Sequence, residues 1–208
     1  MPEEKDTVLC KDRYNCCTKP ASDPAYVAEN ILNRKFKSDM PNEKWVTDVS
    51  EFKYGTGEDD KKGKIYLSVI LDLCGNRPAA FEYGGHNDNR IVFNTFDKAL
   101  LANPGATPIF HSDRGCQYTS KTFRQKIVDS GMTQSMSRVG RCIDNGPVEG
   151  FWGIMKREMY YGRKYKTKEA LIKAIEDSID YYTNKRVQRN LGIVTPMEFY
   201  KKKLLEAA

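Results

Sequence analysis

The sequence predicts an α/β fold in which a mixed five-stranded sheet carries helices on both faces. Two observations support this prediction. Three strand-like segments follow one another early in the chain with hairpin-length connections, which is typical of antiparallel pairing. Later, helical and strand-like patterns alternate, which favours parallel strands covered by helices. The 208 residues have the length of one domain of ordinary size.

The three early strands have different patterns. Residues 45–52 are rich in β-branched and aromatic side chains, as strands prefer. Residues 65–72 form a nearly continuous apolar run, which indicates a central strand covered on both faces. After a turn marked by glycine, asparagine and proline, residues 79–83 form the third strand. Together they predict an antiparallel meander.

The second half of the chain changes period, and apolar residues recur at helical spacing. Residues 138–147 contain three glycines or prolines and are predicted to be a mobile loop. The other predicted elements are helices at 89–101, 122–130, 148–161 and 168–182, and short strands at 109–112 and 133–137.

The patterned region, residues 43–203, is predicted to be the folded core. Residues 1–42 are polar and interrupted by prolines, so we expect a tail or linker there. It would contain one short helix from Pro24 to Asn33, with Asp23 as its N-cap. Residues 204–208 are predicted to be a C-terminal tail.

Composition excludes little but sets expectations. Lys and Arg number 34 against 28 Asp and Glu, a net charge of +6 that permits a polyanionic partner without requiring one. No apolar run approaches the length of a membrane span, and the acidic start does not resemble a secretion signal. We therefore expect a cytoplasmic protein without membrane contact, with its six cysteines reduced.

Three carboxylates are distinguished by their context. Asp48 lies inside the first strand, where aspartate is rare, and Asp113 directly follows an apolar strand. Glu149 lies in the first turn of a predicted helix. Three such oxygen ligands at one end of a sheet would form a site for Mg²⁺, which keeps coordination positions for water and phosphate. Their spacing alone is a weak signal, because solvated surface acids would explain it as well.

The residues around these acids are more specific. They are WVTDVSEF at 45–52, FHSDRGCQY at 110–118 and DNGPVEGFW at 144–152. Together they closely resemble the DDE catalytic core of bacterial insertion-sequence transposases, which is similar to that of retroviral integrases. The resemblance continues through residues 156–158 and 181–186, ends at 191–196, and covers roughly residues 40–200.

The resemblance implies a ribonuclease-H-like fold and an enzyme, a polynucleotidyl transferase that cuts DNA and transfers strands in transposition. By position, Asp48, Asp113 and Glu149 would be the catalytic and metal-binding acids. The implied cofactor is Mg²⁺ or Mn²⁺, as two ions. The implied partners are the DNA of the element ends and of the target, with a homo-multimer assembled on them.

Several residues near Glu149 are candidate DNA contacts. The family commonly has a basic residue seven positions after the glutamate, here Lys156. Seven residues make about two helical turns, so the two side chains should share a face. The other candidates are Arg157, Asn145, Arg138 and Arg141. Each of these residues, Lys156 included, could instead be an ordinary surface or turn residue. Asn145 could alternatively orient Glu149.

Other residues of these motifs favour structural roles. His111 is expected to be neutral and hydrogen-bonded rather than a catalytic base, and Phe151 and Trp152 are expected to pack the helix rather than stack on DNA bases.

Two other functions stay open at this stage. One is a related ribonuclease-H-like nuclease that only hydrolyses. The other is a catalytically silent DNA-binding fragment of a decayed mobile element, because full-length relatives usually carry a helical DNA-binding region that the polar residues before Trp45 do not resemble.

Overall fold

The structure is a computed structural model that describes residues 26–55 and 61–207. Within these residues five strands form one sheet in the order β3-β2-β1-β4-β5. β1 pairs antiparallel with β2 and β2 with β3, whereas β1 pairs parallel with β4 and β4 with β5. The strands are β1 (Lys44–Tyr54), β2 (Gly63–Asp72), β3 (Arg77–Gly84), β4 (Ile109–Ser112) and β5 (Thr133–Met136). The predicted mixed sheet is confirmed.

Helices cover both faces of this sheet, as predicted. They are α1 (Asn89–Ala102), α2 (Lys121–Asp129), α3 (Gly146–Met155), α4 (Lys168–Asn184) and α5 (Pro196–Ala207). A 3₁₀ turn, Cys142–Asn145, leads into α3, and a π-helical turn, Lys156–Tyr160, follows it. Side-chain caps begin α1, α2 and α4, because Asp88, Ser120 and Thr167 each accept a backbone N–H of the first turn.

Alternation along β1 divides its side chains between two hydrophobic cores. Val46 and Phe52 belong to the core formed with α3 and α4, and Trp45 and Val49 belong to the core formed with α1 and α2. Asp48 has the same parity as Val46 and Phe52. The pleat therefore directs it to the face that α3 covers.

The predicted helix from Pro24 to Asn33 is wrong over its described part. Pro24 and its predicted cap lie outside the described residues, and from residue 26 the chain has no regular secondary structure before it turns at residues 32–34. This segment is hydrogen-bonded to β5: Met136 N–H donates to the Glu29 carbonyl at 3.2 Å, and Leu32 N–H donates to Ser135 Oγ at 3.1 Å. A helix would use those backbone groups internally. Leu32 is buried in the core, so part of the predicted linker packs on the sheet.

The C-terminal helix α5 has no counterpart among the sequence predictions. Its start carries a capping box, in which Thr195 Oγ1 accepts the Glu198 N–H at 3.2 Å and Glu198 Oε2 accepts the Thr195 N–H at 2.8 Å. Residues 204–207, predicted to be a tail, form the last turn of this helix. Among all the described residues, no helix is both long and apolar enough to cross a membrane.

Candidate active site

Asp48 lies in the middle of β1, between the sheet and α3. The Trp152 indole Nε1–H donates to its Oδ2 at 3.0 Å. Burial raises the pKa of Asp48 well above its ordinary value, and the negative charges of Asp113 and Glu149 raise it further. Hydrogen bonds from the Val49 backbone and from Trp152 act in the opposite direction. The carboxyl group therefore lies where its own negative charge is poorly compensated.

Asp113 follows β4 directly and lies level with Asp48. β1 and β4 are parallel, and Val46 pairs with His111. Asp48 and Asp113 each follow their residue of this pair by two positions, so they lie at the same height on the sheet. Asp113 Oδ1 accepts the Gly115 N–H at 2.9 Å, which closes a tight turn and fixes the side chain at the strand end. Parallel pairing thus places these two carboxylates on neighbouring strands.

Glu149 lies in the first turn of α3 and is exposed. Partial loss of hydration raises its pKa, the positive charge of Lys156 lowers it, and the negative charge of Asp113 raises it again. The lowering of the Glu149 pKa by Lys156 agrees with the prediction that these two side chains share a helix face. Glu149 thus lies within electrostatic range of Lys156 on its own helix and of Asp113 on the sheet.

The three acids influence one another electrostatically, but their side chains are not arranged as a complete metal-binding site. Within residues 26–55 and 61–207, no three His, Cys, Asp or Glu side chains are close enough to hold one metal ion together. The chemistry of the set nevertheless fits Mg²⁺ or Mn²⁺, because carboxylate oxygens are the ligands that such hard cations prefer. A divalent cation would also offset the repulsion that raises the pKa of Asp48.

Asn145 joins the start of α3 to β1. Its side chain is buried, and Nδ2 donates to the Thr47 carbonyl at 3.0 Å, one residue before Asp48. Its Oδ1 is buried and has no hydrogen-bond partner in the described part of the protein. The DNA contact proposed for Asn145 from the sequence stays a prediction, and the contact present is internal.

The segment ahead of α3, predicted to be a mobile loop, is held by a buried carboxylate. Asp144 is fully buried and accepts hydrogen bonds from Arg138 Nε and Nη2, both at 2.8 Å, from Arg34 Nε at 2.7 Å, and from Asn30 Nδ2 at 2.9 Å. These donors, with Arg138 foremost, hold the pKa of Asp144 far below its ordinary value. The segment therefore contains a 3₁₀ turn and a charged anchor that the sequence did not predict, and its mobility stays a prediction.

The candidate DNA contacts have different surroundings. Arg157 and Arg141 are exposed, whereas Lys156 is half-buried, with its Nζ 5.6 Å from the centre of the Phe52 ring. The Arg138 guanidinium is occupied by Asp144. The sequence could not reveal this difference, because the partner of Arg138 depends on how the chain turns before α3.

The structural roles predicted for His111, Phe151 and Trp152 are confirmed. His111 is buried, its ring nitrogens lie 2.8 Å from Ser135 Oγ and 3.1 Å from Ser137 Oγ, and burial lowers its pKa to about 4, so the ring is neutral. Phe151 and Trp152 belong to the core. Sequence reasoning missed that Trp152 also contacts Asp48, although its position three residues after Glu149 places both within one helical turn.

Comparison with known proteins assigns a family. The family model described as "Integrase core domain" matches residues 38–142, and a second model with the same description matches residues 149–204. A transposase-like protein of Haemophilus influenzae is 37% identical over 174 residues, which cover 84% of this chain and 78% of the relative. The Escherichia coli protein InsK of insertion sequence element IS150 is 37% identical over 173 residues, covering 83% of this chain but 59% of InsK.

Solved structures agree with the observed sheet. The HTLV-2 integrase catalytic core domain in complex with magnesium superposes with a TM-score of 0.60 at 20% identity, covering 79% of this chain and 99% of that one. A chain of the simian T-cell lymphotropic virus intasome superposes with a TM-score of 0.64 at 17% identity, covering 89% of this chain and 62% of that one. These similarities confirm the ribonuclease-H-like fold. The family models and the sequence relatives show that the chain belongs to the integrase core domain family, among the insertion-sequence transposases.

Proposed function

We propose that this chain is the catalytic core of a transposase that performs metal-dependent DNA strand cleavage and strand transfer. The observation that carries the proposal is the mutual influence of Asp48, Asp113 and Glu149. These acids come from β1, from the end of β4 and from α3, yet the charges of Asp113 and Glu149 both raise the pKa of Asp48. Such costly convergence of like charges is typical of a functional site.

In this proposal the three acids hold Mg²⁺ or Mn²⁺, as two ions. When bound, such ions activate an attacking water or hydroxyl and stabilise the leaving oxygen of a displacement at phosphorus. The chain itself supplies the placement of the ligands. β1 and β4 fix the heights of Asp48 and Asp113, and the turn at Gly115 fixes the Asp113 carboxylate. Glu149 approaches from α3 and is the exposed member of the set.

The DNA backbone would lie along the α3 side of the site. Lys156 shares the helix face of Glu149, and Arg157 and Arg141 present exposed positive charge nearby in the chain. Lysine and arginine contacts to phosphates supply most of the sequence-independent affinity of DNA-binding proteins. We propose Lys156, Arg157 and Arg141 as phosphate contacts. Arg138 and Asn145 would contribute directly if DNA binding rearranged their present internal hydrogen bonds.

Transposition joins two element ends to one target, so we propose that the protein acts as a homo-multimer on DNA. The chain spans 59% of InsK, and the proposed activity therefore refers to the core that this chain contains. Two solved structures of the HTLV-2 integrase catalytic core domain contain magnesium. One is a trimeric form and the other is a dimeric form.

The test uses a labelled oligonucleotide that carries the terminal repeat flanking the gene, with Mg²⁺ or Mn²⁺. Strand transfer predicts products longer than the substrate, in which the label is joined to target DNA. Shortened products alone would instead indicate a nuclease that only hydrolyses. Binding in a gel-shift assay without any metal-dependent product would indicate a catalytically silent DNA-binding fragment. Either of these two outcomes overturns the proposal.

A further inference from the structure

The indole of Trp152 provides a fixed hydrogen-bond donor for Asp48. Nε1 lies 3.0 Å from Asp48 Oδ2. The ring itself is buried, with its centre 5.1 Å from the Phe151 ring and 6.4 Å from the Phe52 ring, both in edge-to-face geometry. Aromatic packing on these sides leaves the indole few alternative orientations. The N–H is therefore aimed at the carboxylate before any ligand arrives.

The same helix carries Glu149 and this donor. Trp152 follows Glu149 by three residues, so one turn of α3 contributes both a carboxylate and the group that holds Asp48. A second hydrogen bond, from Asn145 to the Thr47 carbonyl, attaches the start of α3 to the preceding residue of β1. Two consecutive residues of β1 are thus held from one element.

The chemistry of the donor suits a metal ligand. The indole N–H donates to Asp48 Oδ2, and a hydrogen bond to a carboxylate oxygen favours its charged, metal-binding form. Because the indole is neutral, it stabilises the carboxylate without cancelling the negative charge that attracts a cation. A carboxylate has about four lone-pair positions, so the hydrogen bonds from Trp152 and from the Val49 backbone leave others for a metal.

We propose that Trp152 is a positioning residue that orients the Asp48 carboxylate for metal binding. The proposal rests on the proposed function, in which Asp48 is a metal ligand. Outer hydrogen-bond partners of metal ligands typically change metal affinity or activity by about 10-fold to 100-fold when they are removed. Trp152 therefore affects the metal concentration at which the site is half-occupied, in addition to packing in the core.

The chain offers a matched control, because it contains two tryptophans. Trp45 is also buried and also donates its indole N–H, to Asn42 Oδ1 at 3.2 Å, but it packs in the opposite core. Trp152→Phe and Trp45→Phe each remove one buried indole N–H and shrink one ring. Their thermal unfolding midpoints measure the purely structural cost of each change.

The experiment measures the Mg²⁺ concentration for half-maximal strand transfer in both variants and in the wild type. We expect Trp152→Phe to raise it about tenfold, with partial recovery of the rate at saturating Mg²⁺, and Trp45→Phe to leave it unchanged. Loss of folded protein would lower the amplitude without shifting this concentration. An unshifted half-saturating concentration in Trp152→Phe would overturn the proposal.

A second measurement needs no Trp152 variant and covers the case in which that variant fails to fold. The ¹⁵N-labelled wild-type chain gives two indole N–H signals, which Trp45→Phe assigns. We expect Mg²⁺ to shift the Trp152 signal saturably and to leave the Trp45 signal in place. If wild type binds Mg²⁺ and Asp113→Asn does not, but the Trp152 signal is unmoved, this inference alone fails. If the wild type shows no saturable Mg²⁺ binding, the proposed function fails with it.

Discussion

Arg138 and Asp144 form a two-point ion pair immediately ahead of α3, with both guanidinium–carboxylate distances at 2.8 Å. Arg34, from the segment before the sheet, binds the same carboxylate at 2.7 Å. The pair joins the N-terminal segment to the turn that leads into the helix of Glu149. A charge buried with its partners in place is costly to disrupt, because removal of one partner leaves another buried group uncompensated.

Asp144→Asn should lower the free energy of unfolding by about 2–3 kcal/mol at pH 7, since the arginines are partly exposed and the loss is below that of a fully buried pair. The folded pKa of Asp144 lies below its ordinary value of 3.8. Its stabilisation is therefore complete above that value and is lost as the pH falls below it. Urea unfolding at pH 7 and pH 3 should show the gap between variant and wild type shrinking at the lower pH.

The control is Asp177→Asn, which breaks the exposed ion pair with Lys173 and should change stability little at either pH. A gap for Asp144→Asn that is equal at both pH values would contradict the role assigned to its charge.

The bond from Asn145 to the Thr47 carbonyl predicts a ranking of two variants. Asn145→Ala loses one hydrogen bond, which costs about 1 kcal/mol, and also removes the unpartnered Oδ1. Asn145→Asp cannot donate to the carbonyl, and it adds a buried negative charge beside Asp48. We therefore expect Asn145→Asp to be the less stable and the less active of the two. Equal thermal midpoints and equal strand-transfer rates would contradict this.

Periodicity and turn chemistry were sufficient to predict the sheet and most helices. β1 and β4 lie where β-branched and apolar runs predicted them, and local residue patterns around Asp48, Asp113 and Glu149 indicated the candidate site. These features are local in sequence, so one sequence can display them. The prediction of the fold succeeded because the local conformational preferences of these segments agree with the overall fold.

What the sequence could not predict depends on contacts between distant residues. The hydrogen bond from Arg34 to Asp144 joins residues 110 positions apart, and the one from Trp152 to Asp48 joins residues 104 positions apart. The missing helix before the sheet has the same cause, because the Glu29 carbonyl and the Leu32 N–H bond to residues of β5 instead of forming helical hydrogen bonds. Helix α5 does not depend on such distant contacts. Its capping box, formed by Thr195 and Glu198, is local in sequence and is a signal from which the helix start could be predicted.

The buried position of Leu32 predicts that the segment before the sheet contributes to stability. Leu32 is 1% exposed, whereas its neighbour Ile31 is 47% exposed. Leu32→Ala should cost about 2–4 kcal/mol through lost burial and a cavity, and Ile31→Ala should cost much less. Denaturant unfolding compares them directly. If the two variants were equally stable, the segment would behave as a linker, as its polar composition first indicated.

Lys156 should contribute to DNA affinity in a salt-dependent way. Lys156→Ala removes one proposed phosphate contact, so binding to any DNA sequence should weaken and the slope of log affinity against log salt should fall by about 1. Lys173→Ala, on the exposed face of α4, is the matched control and should leave the slope unchanged. Fluorescence anisotropy over a range of salt concentrations gives both quantities. An unchanged slope in Lys156→Ala would remove this residue from the proposed interface.

The central claim is that Asp48, Asp113 and Glu149 act together as the metal-binding acids. The most direct test is strand transfer by Asp113→Asn, compared with Asp97→Asn, whose carboxylate is exposed and paired with Lys126. We predict that Asp113→Asn binds terminal-repeat DNA but loses about 10²-fold to 10³-fold in Mg²⁺-dependent joining, the magnitude expected when a principal stabiliser of the transition-state charge is removed, while Asp97→Asn keeps wild-type activity. Full joining activity in Asp113→Asn would contradict the account.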